Sequence, residues 1–388
     1  SKMEIEQNVA QVLFTQGATL VLLDVPAGTD VGIDTKSWTV GNNFKGIKMI
    51  PPGIHFVHYS AVNKFDELAP RIGFFHDFKK HEFLVKKWDG KEEDISLEPV
   101  SEETIQRLRE NLRDLDRYLG PYPYEIWKPW KELTSDITAS LVTRCSPLCG
   151  FVRSALELEP CSDALRPRGT ECSSSSSSEQ RRSGRLTAVD REAQLLPDLK
   201  PRPGTELRLT EIPDKHYPDD ATPSEITRHS LDSSYVLHTI LRKLQEPVEI
   251  IGEMQLTFVC FLVGQSLDAF EQWKELVTLI CGADDAIPQY RSVYMKFLQS
   301  LEVQLSYVPE ELLCDIVANN NFIYRSLCTL FGNIESNSQV DGGLKSCARR
   351  LQERLTAKFL WDFSNLFEEA DDEAPVVVTL ARAEVNKS

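Results

Sequence analysis

The chain has 388 residues, of which 41% are hydrophobic and 9% aromatic, a composition typical of a globular protein with two or three domains. Its 43 basic and 59 acidic residues give a formal charge of −16, which opposes attraction to a phosphate backbone and predicts no direct binding of nucleic acid. The most apolar window, residues 254–263, is about half as long as a membrane-spanning helix, so no membrane span is predicted.

Strands are predicted between residues 18 and 90. Residues 18–25 form a nearly continuous apolar run that ends at turn-forming residues, as expected for a strand buried on both faces. Residues 71–78 and 82–88 are two further strand-like segments, and the three residues between them have the spacing of a hairpin. These segments together predict a compact antiparallel sheet or sandwich.

The segment KMIPPGIHFVHYS, residues 48–60, contains two histidines three positions apart. Side chains alternate between the two faces of an extended chain, so His55 and His58 are expected on opposite faces and cannot easily hold one metal ion together. Because a Pro-Pro-Gly turn precedes them, a strand is favoured over a helix. The pair is therefore predicted to be structural.

Two helices are predicted next, and we expect them to cover one face of the sheet. The first begins behind the capping residue Ser101 and has apolar residues at intervals of three and four. That stripe consists of Ile105, Leu108, Leu112, Leu115 and Leu119. A second helical pattern, with Pro129 in its first turn, contains Trp127, Trp130, Leu133, Ile137 and Leu141.

Residues 145–200 are rich in proline, arginine and serine, with consecutive serines at 173–178. This segment has too little apolar surface to offset the entropy of ordering, so a linker or loop is predicted at 151–200. Its arginine-rich residues 181–185 are interpreted as a solvated basic loop, with a localisation signal or a phosphorylation site as alternatives.

The second domain opens with a capping box at residues 222–225, which predicts a helix to about residue 244. On that helix His229 and His238 are nine positions apart, which predicts opposite faces. Helical patterns then cover residues 248–263, 267–280, 290–305, 310–317, 322–331 and 344–359. Consecutive amphipathic helices joined by short loops predict a bundle of the adaptor or VHS-like type.

The predicted fold class is α+β with two domains. A sandwich-like, antiparallel β-rich domain with covering helices occupies residues 1–150, and an all-α helical domain occupies residues 201–365. Residues 151–200 are the predicted linker, and residues 366–388 are a predicted acidic tail.

The tail contains a predicted strand behind an acidic stretch at residues 368–373. An apolar strand in such a position is suited to adding to the sheet edge of another protein. Docking back onto the sheet of the first domain is an equal alternative. The candidate partner-binding residues are Pro375, Val376, Val377, Val378, Thr379 and Leu380.

Motifs of catalysis are absent from the sequence: it has no phosphate-binding glycine loop, dinucleotide fingerprint or nucleophile elbow. The alternative function is a metal-dependent small-molecule enzyme on the β-rich domain, which would gather His55, His76 and a carboxylate. A membrane-trafficking adaptor is a third hypothesis, suggested only by the helical architecture.

The nine cysteines are expected to be free thiols in a reducing compartment, since their number is odd and no secretory leader pattern opens the chain. Four of them form an alternative zinc set, although no pair has the two-residue gap of a zinc knuckle: Cys145, Cys149, Cys161 and Cys172. The other five lie in helical patterns and are predicted to be small buried side chains: Cys260, Cys281, Cys314, Cys328 and Cys347.

The stretch FTQGATLVLLDVPAGTDVGIDTKSWTVGNNFKGIKMIPPGIHFVHYS, residues 14–60, closely resembles the opening of the AAR-two family of spliceosomal assembly factors, the A1-alpha2 repression proteins. The resemblance continues in order through LGPYPYEIWKPW, LKPRPGTELRLTEIP, ATPSEITRHSLDSSY, FVCFLVGQSLDAFEQWK, KFLWDF and APVVVTL. It therefore covers nearly the whole chain. Residues 145–194 depart from it, because they are longer and richer in serine and arginine than expected for the family.

This resemblance implies a β-rich N-terminal and an α-helical C-terminal domain. It also implies a non-catalytic factor without a cofactor. Such a factor binds the large scaffold protein of the U5 small nuclear ribonucleoprotein by contacting the RNase H-like and MPN-like domains of that scaffold. Such a factor is a monomer when free, acts in the cytoplasm and nucleus, and keeps the U5 helicase from binding too early. The family resemblance further implies that the tail strand at residues 375–380 pairs with the scaffold protein.

Overall fold

The computed structural model describes residues 2–155, 158–160, 199–308, 322–364 and 366. Several predicted features lie outside these residues: most of the serine-rich segment, the helix at 310–317 with Cys314, the acidic stretch at 368–373 and the tail strand at 375–380. Within the described ranges, no helix has both the length and the apolar character needed to cross a membrane.

Five strands of the described ranges form the first sheet: β1 (Ala18–Leu23), β4 (Gly46–Ile50), β7 (Phe83–Asp89), β8 (Asp94–Ile95) and β9 (Leu119–Pro121). Their spatial order is β8-β7-β1-β4-β9, with β1 antiparallel to β4 and parallel to β7. β1 lies at the centre, where Ala18, Leu20 and Val21 are fully buried. Both of its faces are covered, which explains its continuous apolar run and confirms the predicted strand.

In the second sheet, too, the structure describes five strands: β2 (Asp30–Ile33), β3 (Lys36–Thr39), β5 (Gly53–Ser60), β6 (Ile72–Phe78) and β10 (Val152–Arg153). Their order is β10-β6-β5-β2-β3, and every neighbouring pair is antiparallel. The two sheets share a core that includes Leu20, Ile47, Val57 and Phe74. A separate antiparallel pair consists of β11 (Leu158–Pro160) and β12 (Leu199–Pro201). The predicted sandwich-like domain is thus confirmed.

The predicted hairpin between β6 and β7 is wrong, because the two strands belong to different sheets. β6 pairs with β5, whereas β7 pairs with β1. Between them His81 adopts a positive φ of 59°, and its backbone N–H donates to the carbonyl of Gln16. The turn therefore directs the chain toward β1, and the short connection crosses the sandwich instead of returning along β6.

Among the described elements, three helices lie on the first sheet: α1 (Lys2–Gln16), α2 (Glu102–Glu110) and α3 (Leu112–Asp116). The Ser101 cap is confirmed, since its side chain accepts a hydrogen bond from the backbone of Thr104. The single predicted helix is in fact two, separated at Asn111, and its last stripe residue, Leu119, belongs to β9. The chain has to leave the helix there so that β9 can pair with β4. α1 was not predicted.

The second predicted helix is also interrupted, giving α4 (Trp127–Leu133) and α5 (Ala139–Cys145). At the break, the backbone N–H of Asp136 donates to Oε1 of Gln255 at 2.7 Å, and its carboxylate accepts from Nζ of Lys296 at 2.7 Å. Both partners are in the C-terminal helices. α4 and α5 therefore pack between the second sheet and the helical region, not only on a sheet face.

Trp130 connects this layer to the sheet. Its side chain is fully buried, and its indole N–H donates to the carbonyl of Ile54 at 2.9 Å. Trp130→Phe is expected to lower the free energy of unfolding by about 1–3 kcal/mol, because the buried carbonyl loses its partner and part of the ring volume is lost. Urea unfolding is the measurement, with Trp127→Phe at a half-buried position as the control. Equal effects of the two substitutions would contradict the prediction.

The described part of the C-terminal region between residues 223 and 359 is all-helical, as predicted. Its helices are α6 (Pro223–Leu231), α7 (Ser234–Lys243), α8 (Glu249–Leu262), α9 (Leu267–Cys281), α10 (Arg291–Tyr307), α11 (Phe322–Ser336) and α12 (Gly342–Phe359). α8 is central and buried on all sides from residue 250 to 260, because α5, α9 and α10 surround it. This explains why its sequence is nearly uniformly apolar.

The predicted capping box is present at Thr222 and Glu225, but the helix that it opens ends at Leu231 and not near residue 244. Asp232 interrupts it, accepting from the backbone N–H of Ser234 at 2.9 Å. The hydroxyl of Ser233 donates to the carbonyl of Leu279 at 2.8 Å. The break is therefore fixed by contact with α9, which periodicity along one helix does not reveal.

The described chain ends by folding back on α11. The predicted stripe of α12 is confirmed, with Leu344, Ala348, Leu351 and Leu355 buried. Leu360, at a φ of 58°, terminates the helix. The rings of Trp361 and Phe363 then pack against Tyr324. As a result the chain reaches residue 366 on the surface of α11.

Candidate functional site

His55 and His58 lie on opposite faces of β5, as predicted. The ring of His55 contacts Tyr122 and Phe78 on the sandwich side, with ring centroids 5.2 and 5.8 Å away. The ring of His58 stacks on Phe56, which belongs to the core shared with the C-terminal helices. Both histidines are buried. The spacing therefore does not bring the two rings to one metal ion.

Both ring nitrogens of His55 are occupied by acceptors. Nδ1 lies 2.6 Å from Oδ2 of Asp34, and Nε2 lies 2.6 Å from the carbonyl of Pro51. Two acceptors require two N–H donors, so the ring is an imidazolium with no lone pair for a metal. Burial favours its neutral form, but the charge of Asp34 and the two hydrogen bonds outweigh burial and raise the pKa of His55 above 6.5.

His58 is in the opposite protonation state. Burial, followed by the nearby charge of Arg71, lowers its pKa to about 3, so the ring is neutral. Its Nε2 donates to the backbone carbonyl of Asp34 at 2.9 Å, which leaves Nδ1 unprotonated. Nδ1 has no hydrogen-bond partner among the described residues.

Asp34 joins these groups, and sequence analysis did not identify it. It lies in the turn between β2 and β3 with a φ of 55° and is fully buried. Its carboxylate accepts from the backbone N–H of Phe56 at 2.9 Å and from the hydroxyl of Tyr122 at 2.5 Å, besides His55. Burial and then Asp34 raise the pKa of Tyr122, so the phenol remains a donor. The cluster thus ties the β2–β3 turn to β5 and to the segment after β9.

The other proposed metal ligands do not converge. His76 is opposite His55 in the β5–β6 register, but its Nε2 pairs with Glu82 at 2.5 Å near the surface. Among the described residues, no group of three or more His, Cys, Asp or Glu side chains is arranged to hold a metal ion. The metal-enzyme alternative therefore has no support from His55 or His76.

The cysteine set is only partly described, since Cys161 and Cys172 lie outside the described residues. Cys145 is buried, and burial together with the charge of Glu253 raises its pKa to about 12, so it remains a thiol. Zinc binds the thiolate form, which this environment disfavours. Six cysteines of the described ranges are free thiols, as expected: Cys145, Cys149, Cys260, Cys281, Cys328 and Cys347. The predicted burial is confirmed for Cys260 and Cys281 but is wrong for Cys328 and Cys347, which are half-buried.

Several features of the described surface are suited to binding proteins. β3 forms one edge of the second sheet and is mostly exposed, so its backbone can accept a further strand. Large apolar side chains are exposed on other faces: Phe14, Phe65, Leu68, Leu148, Leu231 and Leu267. The predicted binding residues Pro375, Val376, Val377, Val378, Thr379 and Leu380 lie outside the described residues, so their role stays a prediction.

Two adjoining grooves flank the break between α6 and α7. His229 and His238 both line the first groove, so the prediction that they lie on opposite faces of one helix is wrong. The second groove, with a volume of about 750 Å³, lies between the loop at residues 212–216, the end of α6, α9 and the first residue of α11. It is the larger of the two.

The fold thus defines a two-domain α+β protein whose buried ionisable groups hold the first domain together. Residues 16–147 match the AAR2 N-terminal domain, and residues 209–364 match the AAR2 C-terminal repeat region. A relative from Mus musculus, described as Protein AAR2 homolog, is 40% identical over 394 residues, which is 98% of this chain and 98% of the relative.

Relatives with the same description occur in distant animals. The one from Homo sapiens is 39% identical over 388 residues, covering 97% of each chain. The one from Caenorhabditis elegans is 35% identical over 366 residues, covering 92% of this chain and 97% of the relative. The chain belongs to the AAR2 family, which confirms the resemblance seen in the sequence.

Proposed function

We propose that this chain is a non-catalytic assembly factor of the spliceosomal U5 small nuclear ribonucleoprotein. It binds the large U5 scaffold protein in the cytoplasm, through the RNase H-like and MPN-like domains of that scaffold, and prevents premature binding of the U5 helicase. It accompanies the particle to the nucleus, where the helicase replaces it. It acts as a monomer, without a cofactor and without direct contact with RNA.

The observation that carries the proposal is membership of the AAR2 family across both domains, at about 40% identity over nearly the full length. The geometry supports a binding role in two ways. The Asp34 carboxylate is buried, and it holds strands together by accepting hydrogen bonds from the ring of His55, the backbone N–H of Phe56 and the hydroxyl of Tyr122. The exposed β3 edge and the exposed apolar side chains provide surface for partners.

The tail strand is proposed as the principal contact with the scaffold. Backbone hydrogen bonds along residues 376–380 would supply affinity, and alternate side chains would fill pockets. The charge of the chain, −16, disfavours RNA as the alternative partner.

Deletion of residues 374–388 is expected to weaken binding to a scaffold fragment that contains the RNase H-like and MPN-like domains by about tenfold or more, or about 1.4 kcal/mol. The chain is expected to stay folded, which circular dichroism checks, because the deletion removes no residue of the described core. The dissociation constant is measured with the immobilised fragment.

A matched pair of proline substitutions tests the strand itself. Val378→Pro removes a backbone donor inside the tail strand and is expected to weaken binding nearly as much as the deletion. Val385→Pro lies outside the tail strand and is expected to leave binding unchanged. Undiminished binding by the truncated chain would refute the role of the tail, and no binding by the full chain would refute the proposed partner.

A further inference from the structure

The larger groove beside the α6–α7 break has the composition of a peptide-binding site. Apolar side chains line it, namely Ile212, Pro213, Leu279 and Phe322. Leu231, at the end of α6, also lines the groove and is 82% exposed to solvent. An apolar side chain this exposed beside an apolar groove is suited to contact with an extended apolar segment.

Charged residues border the same groove asymmetrically. Three carboxylates, one ammonium group and two imidazoles line it: Asp214, Glu271, Glu275, Lys274, His216 and His229. Lys274 is paired with Glu271 at 2.9 Å. No ion pair joins Asp214 or Glu275 to any residue in the described part of the chain. The groove therefore favours an apolar ligand that carries a positive charge next to its apolar part.

The described chain ends within reach of the groove. The backbone oxygen of Leu366 lies 3.2 Å from the position that a β-carbon on Gly332 of α11 would occupy. Phe322, which lines the groove, precedes Gly332 by ten residues of the same helix, about 15 Å along its axis. Residues 367–375 separate Leu366 from Val376 and span up to about 30 Å when extended.

The sequence beyond residue 366 has the chemistry that the groove requires. Residues 376–380 are Val-Val-Val-Thr-Leu, and Arg382 follows two positions later. Residues 376–380, which we call the ribbon, are thus an apolar segment with a cation beside it. The connection from Leu366 is long enough for the ribbon to reach the groove. Because the ligand is tethered, its effective concentration is of the order of millimolar, so even a weak intrinsic affinity fills the groove.

We propose that the groove lined by Leu231 and Phe322 binds the chain's own ribbon, residues 376–380, and places Arg382 near Asp214 and Glu275. The ribbon is then covered when no partner is present. A partner that pairs with the ribbon has to displace it from the groove first. This competition, but not the docking itself, rests on the proposed function of the tail.

Photo-cross-linking in the full chain tests the docking. p-Benzoylphenylalanine replaces Val377 in one variant and Val378 in another, so that both faces of the ribbon are probed. After irradiation and digestion, mass spectrometry is expected to find cross-links within one chain to peptides that contain residues 212–216, Leu231 or Phe322. Leu231→Asp is expected to reduce the yield of these cross-links at least tenfold. Its side chain is largely exposed, so the fold is preserved, which circular dichroism checks.

Leu267→Asp is the matched control. Leu267 is 70% exposed at the start of α9 and lies outside the groove, so the same substitution there is expected to leave the yield unchanged. Cross-links to the strands of the first domain, cross-links between two chains, or an undiminished yield in Leu231→Asp would each overturn the proposal. The cross-linking is measured without the scaffold protein, so it reports only on the docking. A failure to bind the scaffold would be detected in the separate measurement of the dissociation constant.

Discussion

Asp34→Asn is expected to lower the free energy of unfolding by about 3 to 5 kcal/mol near pH 6, the range for breaking one side of a buried ion pair. The substitution leaves the His55 imidazolium without its counter-charge in a buried site. It also weakens the acceptor for the backbone N–H of Phe56 and the hydroxyl of Tyr122. Urea unfolding followed by tryptophan fluorescence measures the effect.

The effect of Asp34→Asn is expected to depend on pH. The pKa of His55 is raised in the folded state, so the folded chain holds a proton that the unfolded chain releases between the two pKa values. The stabilisation by the pair is therefore complete below about pH 6.5, the pKa of an unfolded histidine, and is lost as the pH rises through the folded pKa. The difference between the variant and the parent chain is expected to be smaller at pH 9 than at pH 6.

Asp24→Asn is a closely matched control for this prediction. Asp24 also has a positive φ, 64°, so asparagine is equally compatible with its backbone. Its carboxylate is exposed and lies 3.8 Å from Nζ of Lys87, a separation at which ion pairs contribute little. Its effect is expected to be below about 0.5 kcal/mol. If Asp34→Asn had as small an effect, the buried ion pair would not hold the turn.

The elements that the sequence predicted well are those specified by neighbouring residues. The buried strand at residues 18–25 follows from its own apolar run, and α12 follows from the stripe that begins at Leu344. The caps at Ser101 and Thr222 are read from three or four consecutive residues. In each case the residues that specify the element lie within the element itself or next to its first turn.

The incorrect predictions concern places where a distant contact decides the local structure. The helix after Trp127 breaks because Asp136 forms a hydrogen bond with Gln255 and an ion pair with Lys296, both more than a hundred positions away along the chain. The helix after Thr222 breaks because Ser233 bonds to α9. The hairpin after β6 fails because the turn at His81 is fixed by α1, which no pattern had indicated. Periodicity carries no information on such contacts.

The cluster around Asp34 shows how much of a site the sequence can provide. The alternation in β5 correctly predicts that His55 and His58 face opposite sides. The partner of His55 is 21 positions away, and that of Tyr122 is 88 positions away, so their convergence depends on both sheets. One local signal was present, since an aspartate between two short strands is a common turn residue with a positive φ.

Gly46→Ala is the second substitution with a large expected effect, a loss of about 3 to 5 kcal/mol from backbone strain and overpacking together. Gly46 has a φ of 148°, and a β-carbon there would lie 1.9 Å from the carbonyl oxygen of Leu20 in the central strand β1. Neither backbone can move, because the two strands pair at this position.

Gly120→Ala is the control: Gly120 lies in the neighbouring strand β9, and nothing lies within 4 Å of an added β-carbon. Its substitution is expected to leave stability unchanged or raise it by about 0.4 to 1 kcal/mol. Urea unfolding of the two variants measures the difference, and similar stabilities would show that β1 and β4 tolerate separation at Gly46.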